Sequence, residues 1–286
     1  MHNQMINKKC LQFSVKYDTI EINLKLRKGD YMRIQENILN KLSEIEKSEN
    51  ITILHAIESG SRAWGFASPD SDYDVRFIYA RSKNDYLRLE KTRDVIEWEI
   101  NDVYDINGWD ISKTLRLLHN SNPTVFEWLH SPVVYCSHGI MTEIMPELDS
   151  YFSCKAGIYH YLNTAISTYY KHLNGENIKL KKYFYVIRPL LACRWILENK
   201  TPPPVLFQEL VDAVADDNIK PVIAELVRIK TEVPETEKGK HIPELDLYIE
   251  NSITEIKKYA DSMKDDKKRN WKELDEMFLK CLEVKE

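Results

Sequence analysis

The stretch from Gly60 to Asp74, GSRAWGFASPDSDYD, limits the fold of this chain more than any other, because it sets a glycine turn and two carboxylates between two strand patterns. Upstream, ITILHAI (Ile51 to Ile57) is a short apolar run bounded by polar residues, which predicts a buried strand. The chain breaks at Gly60, where the missing Cβ lets the backbone turn and approach a ligand closely. Ser61 adds a hydroxyl beside a backbone amide and Arg62 a charged donor, a set that suits phosphate if a helix starts there. The run DYDVRFIYA then predicts a second strand, whose period of two turns Asp72 and Asp74 to one face and Tyr73, Val75, Phe77 and Tyr79 to the other. Carboxylates that close repel each other unless a cation lies between them. Hard divalent cations such as Mg²⁺ (or Mn²⁺) take oxygen ligands from a few carboxylates and from substrate phosphates. Together these residues read as a site for a nucleoside triphosphate (NTP) and its metal ions.

Gly60-Ser61 followed by Asp72-x-Asp74 resembles the signature of the DNA polymerase β-like nucleotidyltransferase superfamily. The longer phrase GSRAWGFASPDSDYDVRFIY, with INGWD and SNPTVFEWLHSP further on, is similar to a bacterial and phage branch associated with RNA ligases, over roughly residues 50 to 135. The resemblance implies an α+β fold, a small mixed sheet with packed helices followed by a C-terminal helical domain. It also implies Mg²⁺-dependent transfer of a nucleoside monophosphate (NMP) from an NTP to an acceptor hydroxyl, with release of pyrophosphate. The implied acceptor is an RNA end, in tailing or repair, with an RNA ligase or another repair protein as a partner. Two other acceptors fit the superfamily: a protein that receives AMP, as in antitoxin-type members, or a small molecule such as an aminoglycoside. A different class is a nucleotide-responsive RNA-binding subunit that has lost turnover.

A third carboxylate on a later strand is implied as well. DVIEWEI and DVYDING predict two short strands with Gly108 as a breaker, paired antiparallel within a mixed sheet. Asp105 lies inside an apolar strand, where an acid needs a reason, and is the preferred third carboxylate. Asp110 is the competitor, although its place just before the helix pattern ISKTLRLL is explained by capping alone. Glu97 and Glu99 are outer candidates. Asn122-Pro123 predicts a capped helix through PTVFEWLH, in which Glu127 either touches substrate or orders its corner through hydrogen bonds to backbone.

On the later helix KLKKYFYVIRPLLACRWILE, Lys181, Tyr185 and Arg188 share a face and Pro189 predicts a kink. The resemblance implies that a basic residue and a hydroxyl of such a helix hold the β and γ phosphates, which nominates Lys182, Tyr185 and Arg188. The alternative is a solvated basic helix end and an ordinary salt bridge; Arg188, embedded in an apolar run, needs an anion in either case. Trp64 reads equally as a neighbour of the nucleotide and as a core residue.

The 286 residues, 43% hydrophobic, accommodate a catalytic domain over 30–145 and a helical domain over 146–286, after an extension over 1–29 whose period-two pattern suggests a hairpin. Asp30 is placed to cap a helix carrying Ile34, Ile38, Leu42 and Ile45. A net charge of −5 gives no global basic field for nucleic acid. No apolar run reaches the length of a membrane span, and MHNQMINKKC lacks the apolar core of a signal peptide. Cys10, Cys136, Cys154, Cys193 and Cys281 stand singly, which fits reduced thiols in a cytoplasmic protein better than disulfides or a zinc site.

Overall fold

The computed structural model describes residues 28–68, 70–175, 178–232, 238–268 and 270–285. The hairpin expected before residue 29 lies outside the described residues. Helix α1 (Lys28–Glu49) is already running at Lys28, so Asp30 sits within it rather than at its cap. Then come β1 (Thr52–Glu58), α2 (Gly60–Trp64), β2 (Tyr73–Ala80), α3 (Lys83–Tyr86), β3 (Val95–Ile100) and β4 (Tyr104–Asp110). Next are α4 (Ile111–His119), α5 (Pro123–Leu129), β5 (Val134–Ser137) and α6 (Gly139–Leu148). The remainder is α7 (Cys154–His172), β6 (Ile178–Lys179), α8 (Lys181–Asn199), α9 (Phe207–Val214), α10 (Lys220–Glu232), β7 (Lys238–Gly239), α11 (Pro243–Ser262) and α12 (Trp271–Leu282), with β6 and β7 paired as a small ribbon. Among the described residues no helix is long and apolar enough to cross a membrane.

The main sheet has the order β3-β4-β2-β1-β5, with β2 and β4 parallel and the other pairs antiparallel. The architecture is therefore the expected α+β one, with a mixed sheet. Gly108 does not break the chain as expected; it lies inside β4, opposite Phe77. A Cβ there would fall 2.2 Å from the Phe77 ring, so the glycine makes room for an aromatic side chain of the neighbouring strand.

Strand alternation divides the sheet into two faces. One carries Tyr73, Val75, Phe77 and Tyr79 of β2 with Ile106 of β4, and packs on the Ile38, Leu42 and Ile45 stripe of α1. Each such aliphatic side chain, fully buried, stabilises the fold by about 1.5–3 kcal/mol. The other face buries Leu54, Ile57 and Ile78 beneath α4, α5 and α6, and α12 packs on those helices through Leu274, Met277 and Cys281. Helices α7, α8, α9, α10 and α11 form a third core, which Phe66 joins from the α2–β2 connection.

Candidate active site

The parallel register of β2 and β4 pairs Asp74 with Asp105, Arg76 with Asn107 and Ile78 with Trp109, all on the face beneath α4 to α6. Ile78 and Trp109 belong to the apolar core, while the starts of both strands carry the polar residues. Asp110 is five residues from Asp105, an odd number, so the pleat turns it to the opposite side. Its Oδ1 accepts the Ser112 N–H at 2.8 Å as the cap of α4, and its Oδ2 accepts the Tyr86 hydroxyl at 3.0 Å. Glu97 pairs with Arg93 and Glu99 with Lys41 of α1.

Between Asp74 and Asp105 stands Arg76. Its Nη2 donates to Asp74 Oδ1 at 2.9 Å and to Asp105 Oδ2 at 2.6 Å, while Nη1 donates to the carbonyls of Val75 at 3.1 Å and Asp105 at 2.6 Å. The other Asp74 oxygen, Oδ2, faces Gly60, whose φ is +58° and where a Cβ would lie 1.9 Å from it. This glycine is required twice over, by its left-handed conformation and by the carboxylate pressed against it. Burial pushes the Asp74 carboxyl up to about 6; Arg76 opposes the rise, and the charges of Asp72 and Asp105 add to it. Asp72 itself is exposed, just ahead of β2.

At the end of β1, Glu58 Oε1 accepts the Asp74 N–H at 2.9 Å and Oε2 accepts the Tyr135 hydroxyl. Burial raises Glu58 to about 8 despite those two donors and nearby Arg62. Sequence reasoning missed Arg76, Glu58 and Tyr135. The signal for Arg76 was present, since it continues the two-residue spacing of Asp72 and Asp74. Tyr135 comes from β5, on the far side of β1, and local sequence carries no pointer to it.

Residues expected at phosphate are distributed more widely. Ser61 follows Gly60 on α2 and is buried. Arg62 turns back along the chain, donating through Nε to the Asp72 carbonyl at 2.9 Å and through Nη2 to the Ser71 carbonyl, with its guanidinium 3.8 Å above the Tyr73 ring centre. In this arrangement it braces the Asp-x-Asp turn. The same connection is tied to the helical body by Lys230 of α10, whose Nζ donates to Ser68 Oγ at 3.0 Å. Arg188 on α8, 3% exposed, finds its anion in Glu127 of α5 at 2.9 Å, and that carboxylate also accepts the Tyr161 hydroxyl at 2.8 Å. Trp64 lies against the Arg188 guanidinium at 4.6 Å and edge-on to Tyr185 at 5.5 Å, which joins α2 to α8. Lys182, with its Nζ 5.0 Å from the Tyr185 ring centre, stands with Tyr185 on the outer side of this contact.

Carboxylates on adjacent strand ends are the hard oxygen donors that Mg²⁺ or Mn²⁺ takes, and the charges of Asp72 and Asp105 add to the burial that raises Asp74. The residues fit such an ion by chemistry. Among the described residues, however, no three His, Cys, Asp or Glu side chains converge as ligands, and Arg76 holds the position between Asp74 and Asp105.

A family model described as the RNA repair pathway DNA polymerase beta family matches residues 34–280. The uncharacterized protein YcgL of Bacillus subtilis (strain 168) is 41% identical over 252 residues, 87% of this chain and 97% of that protein. A crystal structure of a nucleotidyltransferase-like protein from Exiguobacterium sibiricum 255-15 is 12% identical, with 80% of this chain and 75% of that one covered at a TM-score of 0.30, too distant to bear on the site.

Proposed function

Because the chain belongs to the RNA repair pathway DNA polymerase beta family, we propose that it is a nucleotidyltransferase that moves an NMP from an NTP to a hydroxyl at an RNA end and releases pyrophosphate. The observation that carries this reading is the register that sets Asp74 directly beside Asp105, next to the Gly60–Ser61 turn.

Asp72, Asp74 and Asp105 would hold the divalent cations. When bound, such ions neutralise the triphosphate and stabilise the entering and leaving oxygens of an in-line displacement. The chain's own residues do the positioning. Glu58 fixes the Asp74 backbone through its N–H, Arg62 fixes the Asp72 carbonyl, and the absence of a side chain at Gly60 leaves room for the Asp74 carboxylate. Ser61 would meet the phosphates from the sheet side, and Lys182 and Tyr185 from α8. Arg188, paired with Glu127, serves to seat α8 against α5 and Trp64. The RNA acceptor and a repair partner such as an RNA ligase are supported by the family's description alone.

The test incubates purified protein with each labelled NTP, Mg²⁺ or Mn²⁺, and RNA, DNA, protein or buffer alone. Label on RNA that disappears in Asp74→Ala and Asp105→Asn but survives in Asp110→Asn supports the reading. Label on protein instead moves the acceptor to the AMP-transfer alternative, and full activity in Asp105→Asn removes Asp105 from the site.

A further inference from the structure

Arg76 holds by hydrogen bonds the same carboxylates that a catalytic cation would need. One nitrogen, Nη2, joins Asp74 Oδ1 to Asp105 Oδ2, and the second Asp74 oxygen is confined against Gly60. Asp105 Oδ1 is taken more weakly, by Asn107 Nδ2 at 3.3 Å. Mg²⁺ demands oxygen ligands at about 2.0–2.1 Å in near-ideal octahedral geometry. While the guanidinium lies between them, Asp74 Oδ1 and Asp105 Oδ2 are not free to bind one such ion together. Nη1 meanwhile is tied to the carbonyls of Val75 and Asp105, neutral contacts that do not depend on either carboxylate charge.

We infer that Arg76 is an exchangeable counterion of the acidic cluster: it occupies the cation position until a divalent ion displaces its Nη2 from Asp74 and Asp105, and it thereby sets the metal concentration at which the site fills. The inference rests on the metal-dependent reading given above. Charge balance favours an exchange of this kind. Two carboxylates, Asp74 and Asp105, share one guanidinium, with the exposed Asp72 carboxylate nearby, and like charges gathered at a half-buried site are costly without a cation. With the guanidinium seated the protein folds around a paired site. Once the ion arrives, Nη1 keeps Arg76 on the strand, so its charge stays near the cluster.

The test is Mn²⁺ binding to the full-length protein without nucleotide, read by electron paramagnetic resonance and by isothermal titration calorimetry. Removing the competitor in Arg76→Gln is expected to tighten Mn²⁺ binding at least tenfold. Arg76→Lys keeps the charge but lacks the planar two-pronged donor, and is expected to tighten binding by a smaller factor. It is the variant to use if Arg76→Gln does not fold. In Asp74→Asn, Mn²⁺ binding should be lost. Unchanged or weaker binding in both Arg76 variants, with native binding intact, overturns the inference and leaves the transferase reading standing. Absence of Mn²⁺ binding in native protein and variants alike also overturns the inference, and the transferase reading is then decided by the labelled-NTP assay above.

Discussion

Replacing Gly60 by alanine tests how tightly the turn and the Asp74 carboxylate are built into each other. The alanine Cβ would lie 1.9 Å from Asp74 Oδ2, whereas real contacts of this kind do not come under 3.0 Å, so the carboxylate must retreat by about 1.1 Å. A displacement of that size in a positioned reacting group costs on the order of a hundredfold in rate. Separately, a residue with a Cβ in the left-handed region costs about 1–2 kcal/mol, and for a chain of this size each kcal/mol moves the Tm by about 2–4 °C. Gly65 supplies the control. It too has positive φ, +88°, but an added Cβ there meets only Leu206 Cδ2, at 3.3 Å. Both alanine variants should melt a few degrees below native protein in differential scanning fluorimetry. Only Gly60→Ala should lose about a hundredfold in NMP transfer measured on folded protein. Equal activity in the two variants would show that the approach of Gly60 to Asp74 has no bearing on the site.

Two further expectations concern stability. His55, buried on β1 with Nδ1 3.0 Å from Ser137 Oγ, is pushed down to about 4 by burial, opposed by a contact with the Trp128 backbone. Its folded pKa lies below the unfolded value near 6.5, so the unfolded chain binds the extra proton. The contribution is therefore complete above pH 6.5 and is lost as the pH falls from there to about 4, a change of about 3 kcal/mol; urea melts of native protein and His55→Asn across that window should diverge by this amount, and parallel pH profiles would refute it. The Glu127–Arg188 pair should show strong coupling, because removing one partner leaves a buried charge uncompensated at about 3–5 kcal/mol. Glu127→Ala and Arg188→Met should each destabilise the protein strongly, and the double variant should lose much less than the sum in denaturant titrations.

Much of this was legible because strand periodicity acts over two residues. The apolar run of β1, the two faces of β2 and the capped helix after Asn122 all follow from neighbours in sequence. Parity alone separates Asp105 from Asp110, since five positions along a strand reverse the face. What escaped depends on partners brought in by topology. Gly108 looked like a breaker because the Phe77 ring it accommodates belongs to another strand. Arg188 called for an anion, and only the packing of α8 on α5 reveals Glu127 as the one it has. Lys230 reaches Ser68 across 162 residues, a contact that no local pattern encodes.

The return of α12 to the helices that cover the sheet has a consequence for how the protein is made. Its stacking of Trp271 on His119 at 3.7 Å, and of Phe278 edge-on to Tyr86 at 5.1 Å, completes a layer begun by α3, α4 and α6 more than a hundred residues earlier. At a synthesis rate of about 5–20 residues per second, a ribosome that has delivered α6 needs roughly 7–27 s before α12 is complete. During that interval the outer side of α4 and α6 is an apolar surface without its cover, and contacts of such long sequence separation form slowly. The sheet and the helices covering it therefore reach their final packing only after α7 to α11 have been synthesised, and the nascent chain is most open to chaperones or misassociation while those helices emerge.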